Sequence, residues 1–262
     1  MLFDRAFGAI ADVHRLMSFH DAHSDVSRLN RQAWRGPVSV DPHTLQVLRL
    51  ASRISAASEG VFDVTLAPLL VASGFLPRPV GVPEPDPSAT WRDIDVRLDG
   101  CVRFKKPLWL DLGGIAKGYG VDAAMRAADR PVGTSLSINA GGDLRIAGPQ
   151  SAEVLLAVAG PSPDPAPQLT LANRALASSQ GFPARRRHAQ VWKSPHRHGL
   201  THRNLSLTRF VTVVAEHCAV ADALTKVLLA RGRAAAPLLR RFRAYALMHD
   251  GARSWRRVGV RT

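Results

Sequence analysis

Residues 210–229 run Phe210-Val211-Thr212-Val213-Val214-Ala215-Glu216-His217-Cys218-Ala219, then Val220-Ala221-Asp222-Ala223-Leu224-Thr225-Lys226-Val227-Leu228-Leu229. The architecture can be worked out from here in both directions. Six nearly all-apolar residues, Phe210 to Ala215, predict a strand buried on both faces in the middle of a sheet. Val220 to Leu229 follows with helical spacing. Downstream, Ala244 to His249, Asp250-Gly251 and Ala252 to Val258 predict a closing hairpin. Upstream, Ala152 to Ala159 reads as a strand, and Ser135 to Asn139 alternates until Gly141-Gly142-Asp143 interrupts it. Leu108 to Leu112 reads as a short strand entering Gly113-Gly114 and then a helix through Ile115, Tyr119, Asp122 and Met125. Val96 to Phe104 is a hairpin turning at Asp99-Gly100, and Pro77 to Pro87 is a surface loop. Two helices come first. One carries an apolar stripe of Phe3, Phe7, Ile10, Val13 and Met17; the other starts at Pro42 behind an Asp41 cap and continues through Leu45, Leu48 and Ile54. Strands arranged as hairpins among helices predict an α+β fold, with mixed or antiparallel sheets and packed helices, as a single domain over residues 1–262.

Composition narrows the function. The chain has 262 residues, 46% of them hydrophobic and 21% charged, which excludes wholesale disorder. No apolar run reaches the ~18–20 residues that a membrane-spanning helix needs. The opening Met1-Leu2-Phe3-Asp4-Arg5 has no leader pattern, so the chain as it stands reads as cytoplasmic. Cys101 and Cys218 are too few for a disulfide framework or a cysteine-built zinc site, and read as reduced thiols. The net charge of +14 is concentrated: no Asp or Glu stands between Pro165 and Ala215, where arginines and His188, His196, His198 and His202 accumulate. Local positive potential suits a phosphate-bearing ligand, whereas no zinc-finger, RNP-type or basic-zipper pattern marks a nucleic-acid binder.

Four segments hold residues suited to chemistry. Gly60-Val61-Phe62-Asp63-Val64-Thr65 follows the second helix. Asp111-Leu112-Gly113-Gly114-Ile115-Ala116-Lys117-Gly118-Tyr119 brings a glycine turn into a helix start, where free N–H groups face an anion and Lys117 adds a point charge. That spacing matches neither the P-loop nor the dinucleotide fingerprint. Asn139 to Asp143 pairs two glycines, and Asp222 and Thr225 are hard oxygen donors of the kind Mg2+ accepts. Each segment alone is equally an ordinary helix cap, strand-to-helix turn or strand-end turn.

In their order, however, SFHDAHSDVSRLN (18–30), EGVFDVT (59–65), LDLGGIAKGYGVD (110–122), SINAGGDL (137–144), ALASSQGF (175–182) and VTVVAEHCAVADALTKVLL (211–229) resemble the ApbE family of FAD:protein FMN transferases. The resemblance implies binding of FAD and Mg2+, and transfer of FMN to a threonine of a partner flavoprotein with release of AMP. It implies flavin contacts at Val61, Phe62, Asp63 and Tyr119. It also implies metal ligation by the main-chain oxygen of Ala116 and by Asp222. The family is largely exported and membrane-attached.

The chain departs from the family pattern at four places. It begins after the strand that usually carries a Met-Gly-Thr contact to FAD, and so reads as an N-terminally short member. His20 stands where a tyrosine is usual, and is the expected aromatic contact to FAD. Lys226 stands where the family has a metal-binding threonine, with Thr225 one residue earlier as the candidate hydroxyl ligand. Trp192 to Gly199 (WKSPHRHG) replaces the usual H-x-x-D-P-x-T-G segment, leaving His196 and His198 as candidate proton acceptors. Two other readings compete with the transferase: a flavin-binding protein or FAD pyrophosphatase of the same fold without transfer, and, more remotely, a basic nucleic-acid-binding module.

Overall fold

The structure, a computed structural model, describes residues 2–157, 165–181, 186–188, 191–206, 208–251 and 255–259. Its helices are α1 (Leu2–Met17), α2 (Asp25–Gln32), α3 (Pro42–Ala57), α4 (Ala67–Ala72), α5 (Ala116–Ala127), α6 (Cys218–Arg231) and α7 (Ala236–Arg241). The strands are β1 (Val38–Ser39), β2 (Ile94–Val96), β3 (Cys101–Phe104), β4 (Leu136–Ala140), β5 (Asp143–Ala147), β6 (Ala152–Leu155) and β7 (Gln168–Leu171). They continue as β8 (Ala175–Gln180), β9 (Arg186–His188), β10 (Val191–Lys193), β11 (Phe210–Ala215), β12 (Tyr245–His249) and β13 (Arg256–Val258).

The main sheet has the order β13-β12-β11-β8-β5-β4, and every pairing in it is antiparallel. β11 lies inside, and all six of its residues are buried. Val211, Val213 and Ala215 face the main core with α6, while Val214 faces a smaller cluster beneath the β6–β7 ribbon. That two-sided burial explains why the strand does not alternate apolar with polar. Its one hydroxyl, Thr212, meets Ser178 Oγ on β8 at 2.8 Å. In the closing hairpin β12 and β13 pair with Ala246 opposite Val258, while residues 252–254 of the expected second strand lie outside the described residues. The α+β expectation holds.

α5 packs between α1 and α6. The contact with α6 requires glycine at position 118, because a Cβ there would stand 2.4 Å from the carbonyl oxygen of Cys218. Asp122, one turn on, accepts the main-chain N–H groups of Cys218 at 3.0 Å and Ala219 at 2.9 Å, capping the start of α6. Asp41 caps α3 by accepting from His43 N at 2.7 Å. Gly141 and Gly142, at φ +60° and +94°, make the two-residue turn between β4 and β5. Cys218 is a buried free thiol, and Cys101 is free and partly exposed. No helix among the described residues is long and apolar enough to cross a membrane.

The structure corrects two local expectations. Among the described residues Leu108–Leu112 pairs with no strand: Asn30 bonds both the N–H and the C=O of Leu110, at 2.7 and 3.1 Å, so a side chain replaces the ladder. Phe62–Thr65 forms a turn after the helix, as one reading of that segment allowed: Asp63 Oδ1 accepts from Thr65 N and Oγ1 at 2.8 and 2.7 Å and folds the backbone locally. In α1 the buried side is Ala6, Val13, Leu16 and Met17, leaving Phe3 and Phe7 68% and 70% exposed. A helix packing closely on α5 buries its small residues, and Val13 lies against Gly120.

Candidate active site

A cleft of about 730 Å3 opens where seven separate stretches of chain meet, Ala140 at the end of β4 among them. One wall is the end of α1 with Phe19 and His20, another the turn Val61–Leu66 running into α4, and the floor is the Gly113-Gly114 turn with the start of α5. Ser178, Ser179 and Gln180 from β8, the Pro195–Arg197 loop, and Asp222 and Lys226 of α6 complete it. The parts are held together by close backbone approach. Gly199 N donates to Val61 O at 3.0 Å, and a Cβ on Gly199 would stand 2.0 Å from Gly60 O, so glycine alone docks the 194–199 loop onto the 60–63 turn. At Gly114 a Cβ would lie 3.5 Å from the Phe62 ring and 3.7 Å from Lys226 Cε, which places an aromatic face and an ammonium stem on either side of the glycine turn.

The lining of the cleft mixes apolar Phe62, Leu66, Leu70 and Phe75 with the cations Lys117 and Lys226, and with Arg197, which Ser73 holds beside α4. Lys226 Nζ bonds Asp222 Oδ1 and, at 3.1 Å, the Asp222 carbonyl oxygen; Gly118 N donates to Asp222 Oδ2 at 3.2 Å. Lys117 Nζ ion-pairs with Asp143 Oδ1 at 3.3 Å and reaches Gly141 O at 3.4 Å. Asp143 is fully buried, and burial together with the charge of Asp222 pushes its carboxyl up to about 7, against the opposing pull of Lys117 and Lys226. Burial also raises Asp63 and Asp111 above the usual carboxylate range. Arg197 donates to Ser73 Oγ at 2.5 Å, while its buried Nε has no hydrogen-bond partner among the described residues.

Most of the residues expected from sequence line this cleft: His20, Val61, Phe62, Asp63, Ala116, His196 and Asp222. Three lie elsewhere. Tyr119 turns its hydroxyl toward α3, donating to Gln46 Oε1 at 2.7 Å and meeting His43 Nδ1 at 2.8 Å, and its ring is not in the cleft wall. His198 Nδ1 accepts from Leu200 N and Thr201 N at 3.2 and 3.4 Å, closing a turn. Thr225 Oγ1 meets Ser179 Oγ at 2.8 Å and donates to Asp222 O at 2.6 Å. Of the two histidines, only His196 is at the cleft, and burial with Lys226 and Lys117 nearby pushes its ring down to about 3. It is neutral at physiological pH. Ser194, where the family has an aspartate, accepts from His196 N at 3.1 Å and sets this bend.

A divalent cation fits these residues poorly. Mg2+ wants a near-octahedral shell of oxygens at about 2.0–2.1 Å. Ala116 and Asp222 are at the cleft, but the Thr225 hydroxyl is committed elsewhere and the ammonium of Lys226 already stands on Asp222. Among the described residues no group of three or more His, Cys, Asp or Glu is arranged to hold a metal. Sequence reasoning gave no role to Arg197, Ser179 or Asp143. The segment holding Ser179 was visible as a motif, but nothing in the local pattern said that Arg197 would be drawn in by Ser73.

The cleft of this α+β chain brings together a glycine turn, a helix start, two lysines and an aromatic ring. The family model of the ApbE family matches residues 2–248, and the chain belongs to that family. An FAD:protein FMN transferase of Vibrio cholerae serotype O1 is 31% identical over 147 residues, covering 53% of this chain and 44% of the relative. One from Haemophilus influenzae is 30% identical over 152 residues, with the same coverages of 53% and 44%. The match thus spans less than half the length of these relatives. In structure, the ApbE protein of Thermotoga maritima superposes with a TM-score of 0.85 at 22% identity, over 98% of this chain and 88% of that one. The flavin transferase ApbE of Vibrio cholerae gives 0.76 at 25% identity, over the same 98% and 88%.

Proposed function

We propose that the chain, as a single domain over residues 1–262, is an FAD:protein FMN transferase that moves FMN from FAD to a threonine of an acceptor flavoprotein and releases AMP. The observation that carries this is the Gly113-Gly114 turn of the cleft, which lies beside both the Phe62 ring and the Lys226 stem, with Lys117 at the start of α5. The names of the relatives supply the chemistry. His20, Val61, Phe62 and Asp63 hold the flavin side of FAD, and the diphosphate lies over the start of α5, where Lys117 and the helix dipole favour negative charge. The acceptor hydroxyl oxygen bonds to the phosphorus of the FMN half, the bond from that phosphorus to the bridging oxygen breaks, and AMP leaves with the electron pair. Catalysis here is chiefly positioning and charge neutralisation. Mg2+ enters this reading only as far as the Ala116 carbonyl and Asp222 offer it two ligands; the neutralising charge is assigned to the two lysines. His196 accepts the hydroxyl proton. Its ring is neutral, and an anionic diphosphate against Lys117 and Lys226 offsets the two charges that depress its basicity.

One observation favours a second reading, flavin binding or cleavage of FAD to FMN and AMP without transfer. Burial leaves His196 far less basic in the free site than a general base working near pH 7. Mass spectrometry of a threonine-bearing acceptor incubated with the protein and FAD separates the two. The parent should give the FMN adduct, and His196→Ala should lose it while still binding FAD. Robust transfer by His196→Ala would remove the histidine from the chemistry. Absence of adduct from the parent with FAD bound would select the second reading.

A further inference from the structure

We propose that Lys226 is the resident cation of the cleft: its ammonium group takes the place of a divalent metal beside Asp222 and, with Lys117, holds the diphosphate of the ligand without a metal ion. The proposal rests on the reading of the cleft as an FAD site. A metal at Asp222 would need the carboxylate oxygens, a hydroxyl on the same helix and a main-chain oxygen from α5. In this chain Asp222 Oδ1 is bonded to Lys226 and Oδ2 accepts from Gly118 N at 3.2 Å. The Asp222 carbonyl oxygen takes Lys226 Nζ at 3.1 Å and the Thr225 hydroxyl at 2.6 Å. Thr225 points to Ser179 on β8, because one residue along a helix turns a side chain by about 100°. The second acid of the neighbourhood, Asp143, is already paired with Lys117 at 3.3 Å.

The charge pattern agrees. Lys226 already stands on Asp222 and Lys117 on Asp143, so a divalent cation would have to enter against a resident ammonium group. Lysine can also do what a bound metal does here. Its ammonium carries three donors on a flexible stem, so it can keep Asp222 while turning toward phosphate oxygens. Lys226 Cε lies 3.7 Å from where a Cβ of Gly114 would be, so the head group works at the glycine turn where the diphosphate is expected. Lys117 and His196 lie close enough to act on one another there, and both line the same cleft.

The test is titration of FAD into the full chain, followed by flavin fluorescence, once in EDTA and once in millimolar Mg2+. The parent should bind equally in both. Lys226→Met should lose affinity about tenfold or more in EDTA, and Lys226→Thr should regain it only when Mg2+ is added. Circular dichroism establishes that each variant is folded. Manganese paramagnetic resonance gives a readout apart from FAD: the parent should leave Mn2+ free in solution, and Lys226→Thr should bind it. Loss of parental FAD affinity in EDTA, unchanged affinity in Lys226→Met, or Mn2+ bound by the parent and released in Asp222→Ala would each overturn the proposal. Metal-free FAD binding without FMN transfer would sink the transferase reading and leave the role of Lys226 standing. If FAD binds in neither buffer, inorganic pyrophosphate in EDTA decides. Thermal protection by pyrophosphate that Lys226→Met abolishes supports the lysine assignment, and no protection refutes it.

Discussion

Tyr119 shows how a single side chain can belong to a motif and still work somewhere else. It sits in the Ala116–Tyr119 segment that carries much of the family resemblance, yet its hydroxyl bonds Gln46 at 2.7 Å and His43 at 2.8 Å, and Arg126 lies over its ring at 5.2 Å. Its work in the free protein is to tie α5 to α3. Tyr119→Phe should therefore lower stability by about 1 kcal/mol, the usual worth of a partly buried hydrogen bond, and leave FAD affinity unchanged. Urea unfolding and a flavin titration check the two halves, and a weakened flavin titration would return the residue to the site. Thr225 follows the same logic. A hydroxyl three residues after Asp222 is drawn to Ser179, while the neighbouring lysine takes the place at the cleft.

At the scale of elements, the cleft depends on two contacts that tolerate no side chain. Gly118 lets α5 approach the start of α6, and Gly199 lets the 194–199 loop lie on the 60–63 turn. In both places a Cβ would meet main chain, which cannot swing aside as a flexible side chain would. Gly118→Ala should cost about 1–3 kcal/mol, the range for overpacking a tight contact, and it should also weaken FAD binding because Lys117 and Asp222 lie on either side of that contact. Gly199→Ala should leave the main sheet intact and lower FAD affinity by undocking the loop that carries His196. Thermal melts with flavin titrations distinguish the two. A Gly199→Ala protein with full affinity would show that the loop is not part of the site.

For the molecule as a whole, two titratable groups, His196 and the buried Asp143, bend the dependence of stability on pH in opposite directions. His196 protonates near 6.5 when unfolded but only at about 3 when folded. The unfolded chain takes up that proton first, so this group removes stability as the pH falls below 6.5. Asp143 is raised from 3.8 to about 7. Its contribution is present in full below 3.8 and is lost as the pH rises through about 7. Relative to the parent, His196→Gln should therefore gain stability at about pH 5 compared with about pH 8, and Asp143→Asn should gain at about pH 8 compared with about pH 5. Denaturant unfolding of all three proteins at both pH values reads this directly; shifts of the same sign in the two variants would contradict it.

Local pattern carried what depends on neighbours along the chain. The apolar run of β11, the Asp41-Pro42 start of α3, the Asp99-Gly100 turn and the glycine turn before α5 are all written in short stretches whose periodicity or backbone freedom admits one conformation. The family motifs likewise named five residues of the cleft wall: Val61, Phe62, Asp63, Ala116 and Asp222. Which side of α1 is buried was not decided there, since Phe3-Phe7 and Ala6-Val13 stripes overlap on one helix and only the close packing against Gly120 of α5 chooses between them. Nor was the fate of Leu108–Leu112, whose strand-like run is satisfied by Asn30 from far away in sequence. The identity of the group beside Asp222 belongs to the same class. Lys226 and Thr225 differ by one position on α6, and it is Ser179, brought alongside by β8, that draws the hydroxyl away and leaves the ammonium at the cleft. Hydrogen-bond partners distant in sequence meet only once the sheet and helices have packed, so tertiary structure alone settles which charge the site holds.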